Sequence, residues 1–350
     1  SELIEQDPCR PCDQERIKFL AEHLNIYQRG QAVERAAKNG RLEILQALLA
    51  NGAQISESAR GGAVGAAAEN GHSPVIEFLL ANGSQISKSD RFWSLWTAAW
   101  NGHLPIVKFL LANGPQISEE HRGKALRAAA GNGHLQVVEF LLANGQILKM
   151  DRGLAVRAAA KNGHLQIVEF LFANGAQIAA SDRDGAVSFA AINRHLQVVE
   201  FLLANGAQIS ESARGWAIGA AAENGHLQVV EALLANGAQI SKSDRGQAVR
   251  AAAERGLLHV VEALLENGRI YEFTRYVAAR AAAENGHLEV VGALLGDNGY
   301  EYMFQFVEAL LANGAQISES DRGQAVRAAA ERGYLQVVEA LLANGAQISK

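Results

Sequence analysis

The sequence predicts an all-α fold in which short helical units repeat along the chain and stack into a solenoid. The chain has 350 residues, more than a single compact core usually holds. An arginine recurs in steps of 30 or 31 residues, and only the last step is longer, at 47. Its positions are Arg29, Arg60, Arg91, Arg122, Arg152, Arg183, Arg214, Arg245, Arg275 and Arg322. Units of this length bury their apolar faces only by stacking on their neighbours.

The composition favours many small cores over one large core. Hydrophobic residues make up 49% of the chain but aromatic residues only 6%, so alanine, leucine and valine fill the predicted interior. The formal net charge of −5, from 32 basic and 37 acidic residues, gives no bulk attraction to nucleic acid or an anionic membrane. No apolar run approaches the roughly 18 residues that span a bilayer. Charge and hydropathy therefore favour neither nucleic acid nor a membrane as the partner. We separately expect a protein partner and a monomeric chain.

Each unit carries the signals for two helices. The stretch 248–253, Ala-Val-Arg-Ala-Ala-Ala, favours a compact first helix, called helix A, which Arg255 and Gly256 end. The stretch 226–234 has the apolar stripe of a second helix, called helix B. The Ser-x-x-Asp motif at 241–244 then caps the next helix A.

The segment 221–238, Ala-Ala-Glu-Asn-Gly-His-Leu-Gln-Val-Val-Glu-Ala-Leu-Leu-Ala-Asn-Gly-Ala, resembles the ankyrin repeat, and the resemblance covers roughly residues 29–350. The helix-opening Thr-Pro-Leu-His of that family is replaced by Gln-Ala-Val-Arg at 247–250. The unit is also two residues shorter than the common form of about 33 residues, which implies short finger loops. The resemblance implies an ankyrin-type solenoid that binds another protein and is not an enzyme.

Short ankyrin units of this kind resemble those of giant viruses and of bacteria that live inside amoebae. By analogy, the resemblance implies a host-directed effector, which would act in the host cytosol. The chain begins at Ser1 and stops at Lys350 within a repeat unit. We therefore expect it to be a piece of a longer protein and treat a targeting arm for an absent catalytic domain as an alternative function.

The repeat pattern divides the chain into four parts. Residues 1–28 form an N-terminal capping segment, in which 17–24 is a predicted capping helix, and residues 29–295 hold repeats 1 to 9. In the irregular partial repeat, 296–321, a second B-type helix follows the first without a helix A between them. We expect residues 322–350 to hold the final repeat in truncated form. The aromatic stretch 300–306 is either a second interface or a local repacking of this break.

Constellations that would carry catalysis are missing from the sequence. Seven histidines follow the loop glycine or its equivalent, too far apart to share a metal ion, and we interpret them as loop-bracing residues. They are His72, His103, His134, His164, His195, His226 and His287. Cys9 and Cys12 lack two further metal ligands, and two cysteines in the whole chain suit a reducing intracellular compartment. We expect no metal, no cofactor and no catalytic residue.

The third unit is unusual because its helix A carries three of the four tryptophans of the chain. Trp93, Trp96 and Trp100 are spaced by three and four residues, which places them on one face of the helix. Glycines occupy matching positions in the flanking units, at Gly62, Gly65 and Gly131. The indoles either form an exposed binding patch or lie flat over the space that the glycines leave.

Charge distinguishes the units that follow. The later units have i,i+4 pairs at Arg250–Glu254, Arg280–Glu284 and Arg327–Glu331. The fourth and fifth units lack such acidic partners for Lys124, Arg127, Arg157 and Lys161. We expect these four cations, with Trp93, Trp96 and Trp100, to form a concave site on helix A. The site would bind an acidic and partly apolar segment of a partner protein.

Other functions remain open at this stage. The three indoles could form an aromatic cage that reads a cationic or methyl-lysine ligand, with Glu69 as the nearby counter-charge. The recurring arginine could contact a polyanion, or it could be structural, neutralised by acidic residues beside it. These are Asp90, Asp151, Asp182, Asp244 and Asp321. A fourth possibility is a spacer that has no partner.

Overall fold

The computed structural model describes residues 23–50, 54–81, 86–113, 117–174, 178–205, 209–235 and 240–295, with single positions at 330, 338, 339 and 342. Regular structure in these ranges is helical and contains no strand, which confirms the predicted all-α class. Each of the nine repeats within these ranges has a helix A of 13 residues followed by a shorter helix B. The helices A are α1 Ile26–Lys38, α3 Glu57–Glu69, α5 Lys88–Trp100, α7 Glu119–Gly131, α9 Lys149–Lys161, α11 Ala180–Ile192, α13 Glu211–Glu223, α15 Lys242–Glu254 and α17 Glu272–Glu284. The helices B are α2 Leu42–Leu48, α4 Ser73–Ala81, α6 Leu104–Ala112, α8 Leu135–Asn144, α10 Leu165–Ala173, α12 Leu196–Ala204, α14 Leu227–Ala235, α16 Leu258–Glu266 and α18 Leu288–Leu295.

The chain forms two compact units, Ser1–Asp182 and Arg183–Lys350. In the first unit the helices A of repeats 1 to 5 pack side by side, each against the next. In the second unit the helices A of repeats 7 to 9 pack in the same way. Small alanines such as Ala67 and Ala68 are fully buried between these helices, while Ile76 and Leu79 bury helix B beneath them. Alanine at the interface lets neighbouring helices approach closely, so a short repeat is sufficient for a closed core.

Serine starts most of the helices A, as the Ser-x-x-Asp motif predicts. The Ser241 hydroxyl accepts a hydrogen bond from the Asp244 backbone N–H at 3.0 Å and donates one to the Asp244 carboxylate at 2.7 Å. Ser87 and Asp90 repeat the arrangement with the same two distances. At the other end, helix A of repeat 8 stops at Glu254, and Gly256 follows with a φ of 71°. A backbone in this left-handed region favours glycine.

The recurring arginine is the fourth residue of each helix A, and its side chain turns into the protein. Arg91, Arg214 and Arg245 are each at most 6% exposed. The Arg91 Nη2 group donates to the Leu110 carbonyl at 2.8 Å, near the end of helix B in its own repeat. Arg275 Nη1 donates to the Leu294 carbonyl at 3.3 Å in the same way. The guanidinium group therefore satisfies helix-terminal carbonyls and meets the negative end of the helix dipole.

This geometry corrects the expectation that neighbouring aspartates neutralise the arginines. Carbonyl oxygens take that role because the long side chain of the fourth helical residue reaches the end of helix B. Burial removes water from the charge and lowers the pKa of both Arg91 and Arg214. Guanidinium groups buried in this way are not presented to a polyanion, so the interpretation of the recurring arginine as a nucleic-acid contact is wrong for these positions.

Histidine links repeats 2 to 5 and repeat 7 to the repeat before each of them. Nε2 of His72 lies 3.0 Å from the Lys38 carbonyl, and Nε2 of His103 lies 3.0 Å from the Glu69 carbonyl. His134, His164 and His226 make the equivalent bonds at 2.8 to 3.1 Å. A carbonyl only accepts, so Nε2 carries the proton in each case. The predicted loop-bracing role is confirmed for these five histidines.

The aspartates lie at the junctions between successive helices A. Gly153 follows the arginine of repeat 5, and a methyl group added there would overlap the Asp182 carboxylate of repeat 6. The same glycine–aspartate junction recurs three more times, at Gly61–Asp90, Gly123–Asp151 and Gly215–Asp244. The glycine is therefore required by the close approach of an acidic side chain from the next repeat.

Two junctions replace this pair by a different complementary pair. Between repeats 3 and 4, Phe92 stands in place of glycine and His121 in place of aspartate, and their rings stack with centroids 4.1 Å apart. Between repeats 6 and 7, the aspartate is on the earlier helix. The Asp184 carboxylate accepts from the backbone N–H and the hydroxyl of Ser210 at 3.0 and 2.7 Å, and Ala213 fills the usual aspartate position.

Several features expected from the sequence fall outside the described residues. They are the pair Cys9 and Cys12, the capping helix 17–24, the break at 296–306 and the pair Arg327–Glu331.

Replacing Gly153 by alanine should lower the free energy of unfolding by about 1–2 kcal/mol, because the new methyl group displaces the Asp182 carboxylate. Gly219→Ala is the matched control, since its added methyl group meets nothing within 4 Å. That change should raise stability by about 0.5–1 kcal/mol through the higher helix propensity of alanine. Denaturant unfolding measures both, and equal effects of the two changes would contradict this account of the junction.

Arg194→Gly should stabilise the chain by about 1 kcal/mol, because Arg194 has a φ of 63° where other repeats place glycine. The reciprocal change Gly286→Arg, at a φ of 82° and with open space around it, should destabilise by a similar amount. Both effects are read from thermal unfolding. A loss of stability in Arg194→Gly would show that the arginine side chain contributes more than its backbone strain costs.

Candidate binding face

The three tryptophans form a continuous row on helix A of repeat 3. Trp93 and Trp100 are 54% and 45% exposed, and Trp96 is half-buried between them. The Trp93 and Trp96 rings meet edge to face, with centroids 5.7 Å apart, and the Trp96 and Trp100 centroids are 5.0 Å apart. Because each ring packs on the next, the row presents a pre-formed apolar surface.

The row extends further than the sequence suggested. Phe92 contacts Trp93, with ring centroids 5.4 Å apart, and stacks on His121 of the next repeat. Sequence reasoning missed both residues because it followed the tryptophans alone. The repeat alignment could have identified them. Between repeats 3 and 4, Phe92 replaces the usual glycine of the junction and His121 replaces the usual aspartate, so the two substitutions occur as a pair. We call the five rings from His121 through Phe92, Trp93 and Trp96 to Trp100 the aromatic row.

The glycines beside the row are not filled by the indoles. A methyl group added at Gly65 would meet no atom within 4 Å, and one at Gly131 would meet only Ala158 and Asn162. The alternative in which the indoles lie flat over these glycines is therefore wrong at both positions. Instead, the surface of repeat 2 beside the tryptophans is open.

The rings do not have the geometry of a cage. A cage holds a cation between rings that face one another across a gap, whereas Trp96 and Trp100 pack together at 5.0 Å with 32° between their planes. Trp93 closes the other side of Trp96 by its edge contact. The arrangement disfavours a methyl-lysine cage and leaves an exposed ridge of indoles.

Lys124 and Arg157, which were predicted to lack acidic partners, are both paired. Lys124 Nζ lies 2.7 Å from the Glu120 carboxylate, one turn earlier on α7, and also 5.7 Å from the Phe92 ring centroid. This pairing lowers the pKa of Glu120. Arg157 Nη1 lies 3.6 Å from the Asp182 carboxylate of the next repeat. The prediction considered only partners four residues downstream, so it missed a partner upstream and a partner across a junction.

The other two cations are exposed, and Arg127 has the clearest position. It occupies the place on α7 that Trp96 has on α5, and these two helices pack directly. No carboxylate lies within 4 Å of its guanidinium group among the residues that the structure describes. Lys161 is exposed in the last turn of α9. Arg127 is therefore the cation of the predicted set best placed to meet a ligand on the aromatic row.

Asp151 is a buried carboxylate near this face. In repeats 3 and 8 a capping serine donates to the aspartate, but Leu148 occupies the cap position of α9 and makes no side-chain cap bond. The Asp151 Oδ2 atom is buried without a hydrogen-bond partner among the described residues. Burial raises the pKa of Asp151, and the positive charge of Arg127 opposes the rise in part.

Ion pairs in the second unit differ from those predicted. Arg280 and Glu284 form the expected pair at 2.7 Å. Arg250 and Glu254 do not come within 4 Å; Arg255 instead pairs with Glu223 of the previous repeat, at 2.9 Å. Trp216, which the sequence interpretation left aside, is 55% exposed on helix A of repeat 7.

The described ranges contain neither a cluster of metal ligands nor a membrane-spanning helix. They contain no group of three histidine, cysteine or acidic side chains that could hold a metal ion. None of their helices is long and apolar enough to cross a bilayer.

A family model described as ankyrin repeats, in three copies, matches overlapping stretches that span residues 35–305. The matched stretches are 35–121, 64–152, 95–182, 126–213, 156–244 and 218–305. No curated protein matches the chain.

Helical-repeat structures are among the solved structures it matches. The pentatricopeptide repeat protein PPR10 from maize is 15% identical over 98% of this chain and 57% of its own, with a TM-score of 0.37. This chain thus spans little more than half of that protein's length. PPR10 in complex with an 18-nt psaJ RNA element is 11% identical over 96% and 67%, with a TM-score of 0.28. A structure from the computational design of self-assembling cyclic protein homooligomers is 18% identical over 86% and 98%, with a TM-score of 0.14.

Stacked helical pairs with an exposed, variable helix-A face define a repeat scaffold for binding. The chain belongs to the ankyrin-repeat family, whose model matches most of its length. Ankyrin repeats serve as scaffolds for protein–protein interaction, and the family is typically non-catalytic.

Leu148→Ser should raise the free energy of unfolding by about 1 kcal/mol at pH 7, because the hydroxyl caps α9 and donates to Asp151 as Ser87 does to Asp90. Burial raises the pKa of Asp151, so the ionised carboxylate is unfavourable in the native chain. The native chain therefore loses stability as the pH rises through this raised pKa. The serine removes part of this loss, so its gain should shrink as the pH is lowered.

The control is Ala179→Ser, at the cap position before Asp182, because that aspartate already has Arg157 as a partner. Its gain should depend less on pH. Denaturant unfolding at several pH values measures both variants. Identical pH dependence in the two would contradict a special role for the uncapped Asp151.

Proposed function

We propose that this ankyrin array binds a partner protein through the helix-A face of repeats 3 to 5, and that the bound segment is acidic and partly apolar. The observation that carries the proposal is the exposed aromatic row beside Arg127. Aromatic anchors and arginine are the residues that most often dominate the energy of a protein interface. A pre-packed row also loses little side-chain entropy on binding.

The contributions of the cations differ. Arg127 is exposed and meets an acidic group directly, whereas Lys124 and Arg157 must exchange Glu120 and Asp182 for a ligand carboxylate. Such an exchange adds selectivity rather than much affinity, because exposed ion pairs contribute little. Lys161 lies at the far end of the face, and we assign it to the rim. The partner-binding residues are therefore Trp93, Trp96, Trp100 and Arg127, with Lys124, Arg157 and Lys161 around them.

The analogy with the short repeats of giant viruses and amoeba-associated bacteria makes proteins of a host cell the first to test. In that setting the array acts as an effector or as the targeting arm of one.

Trp96→Ala with Arg127→Ala should weaken binding to the true partner by at least about thirtyfold, since each lost anchor removes a central contact. The full chain is used to retain proteins from a host-cell lysate, and retained proteins are purified and titrated. The matched control is Trp216→Ala with Arg250→Ala, which removes an exposed indole and an arginine from the second unit. Unchanged thermal unfolding of each variant shows that the fold is intact.

A partner that is lost from the first variant but retained by the control supports the proposal. A partner that binds both variants as tightly as the native chain contradicts the assignment to repeats 3 to 5.

A further inference from the structure

The two sides of the aromatic row carry opposite charge. On the side of repeat 4, Arg127 is exposed, and its neighbour Lys124 is paired within its own helix. On the side of repeats 1 and 2, the exposed charges near the open glycine surface are Glu34, Glu69 and Lys38, so the net charge there is negative. A ligand that crosses the row therefore meets a positive charge on one side and negative charge on the other.

The acidic side has a defined geometry. A methyl group added at Gly62 would lie 3.4 to 3.6 Å from the carboxyl group of Glu34, so this carboxylate overlies repeat 2 from the neighbouring helix. Glu69 is exposed one turn beyond Gly65, on the same helix. Neither carboxylate has an ion-pair partner within 4 Å among the described residues. The open surface at Gly65 is thus bounded by two carboxylates and by the indoles.

A cation suits this surface better than any other group. The carboxylates of Glu34 and Glu69 attract it. The glycines leave room for the long stem of a lysine or arginine side chain to lie along the helix. An acidic group at the same place would be repelled by both carboxylates.

We propose that the occupant is an extended peptide segment with charges at both ends of its contact. An acidic residue meets Arg127, apolar residues lie on the aromatic row, and a basic residue lies over Gly65 between Glu34 and Glu69. This proposal rests on the binding function proposed above and specifies its ligand.

The helix spacing sets the separation of the two charges. Arg127 and Gly65 lie on helices A of repeats 4 and 2, two packing steps apart. At about 8–10 Å per step, the separation is roughly 16–20 Å. An extended chain advances about 3.3 Å per residue, so the acidic and basic residues should be about five or six positions apart.

A single-stranded nucleic acid could also stack its bases on the indoles. Its phosphates would then lie against Glu34 and Glu69, which opposes binding. The charge distribution therefore favours a peptide, and a nucleic acid serves as a contrasting probe.

The test is a selection from a phage-displayed library of random 12-residue peptides on the full chain, with counter-selection on Trp96→Ala, Arg127→Ala. The expected consensus has an acidic and a basic residue five or six positions apart, with apolar residues between them.

A consensus peptide is then synthesised and titrated. Glu34→Gln with Glu69→Gln should weaken its binding about two- to fivefold. Replacing the basic residue of the peptide should weaken binding to the native chain by the same factor. The altered peptide and the double-glutamine variant together should bind no more weakly than either does with its native counterpart.

The control variant is Glu43→Gln with Glu77→Gln, which changes the net charge equally on the helix-B side and should leave binding unchanged. A consensus that is acidic and apolar but lacks the basic residue overturns this inference and leaves the proposed function standing. Peptides that bind the counter-selection variant equally well overturn the proposed function itself. A fluorescent 20-nucleotide oligo-dT that binds through Trp96 overturns the peptide assignment.

Discussion

No repeat of this chain can bury its apolar face alone, and the rest of the structure follows from that constraint. Burial is achieved by the close approach of one alanine-rich helix A to the next, and this approach restricts which residues can stand at the junctions. The buried arginine closes each helix pair by meeting the carbonyls that end helix B, as Arg91 does at Leu110. The histidine ties the loop to the preceding repeat, as His103 does at Glu69. Both interactions use backbone acceptors, so they tolerate wide variation in the exposed side chains.

Most of the scaffold could be predicted from the sequence, because its signals are local. The period, the capping serines and the loop glycines each depend on a few adjacent residues, and the helices begin and end where those signals lie. The binding face was predictable only in part. Trp93, Trp96 and Trp100 lie on one helix, so their spacing alone was sufficient to place them correctly on one face. The partners of Lys124 and Arg157 were not predictable in this way, since each charge has several carboxylates within reach and the choice depends on packing between repeats.

The division of charge across the aromatic row has the same origin. Glu34, Gly65, Trp96 and Arg127 occupy matching positions on four helices A that pack in sequence. The fold places these positions side by side whatever residues they hold. Residues that are about one repeat apart in the sequence therefore become neighbours on one continuous surface. Recognition by this face is therefore determined by which residue each repeat contributes, while stability is determined by the residues beneath. The two properties can change almost independently, except at the junctions.

At the junctions, the order of the repeats matters. Repeat 4 brings His121, which stacks on the phenylalanine that only repeat 3 presents, and repeat 7 brings a serine that the aspartate of repeat 6 secures. If recombination placed repeat 4 behind repeat 2, His121 would face a glycine and lose its stacking partner. A copy of repeat 5 behind repeat 3 would press Asp151 against a phenyl ring. Near-identical repeats would otherwise exchange freely by recombination within a gene. The matched pairs give the repeats that carry them a preferred neighbour, so a change of order at these junctions costs stability. The order of the exposed residues on the binding face is therefore maintained together with the order of the repeats.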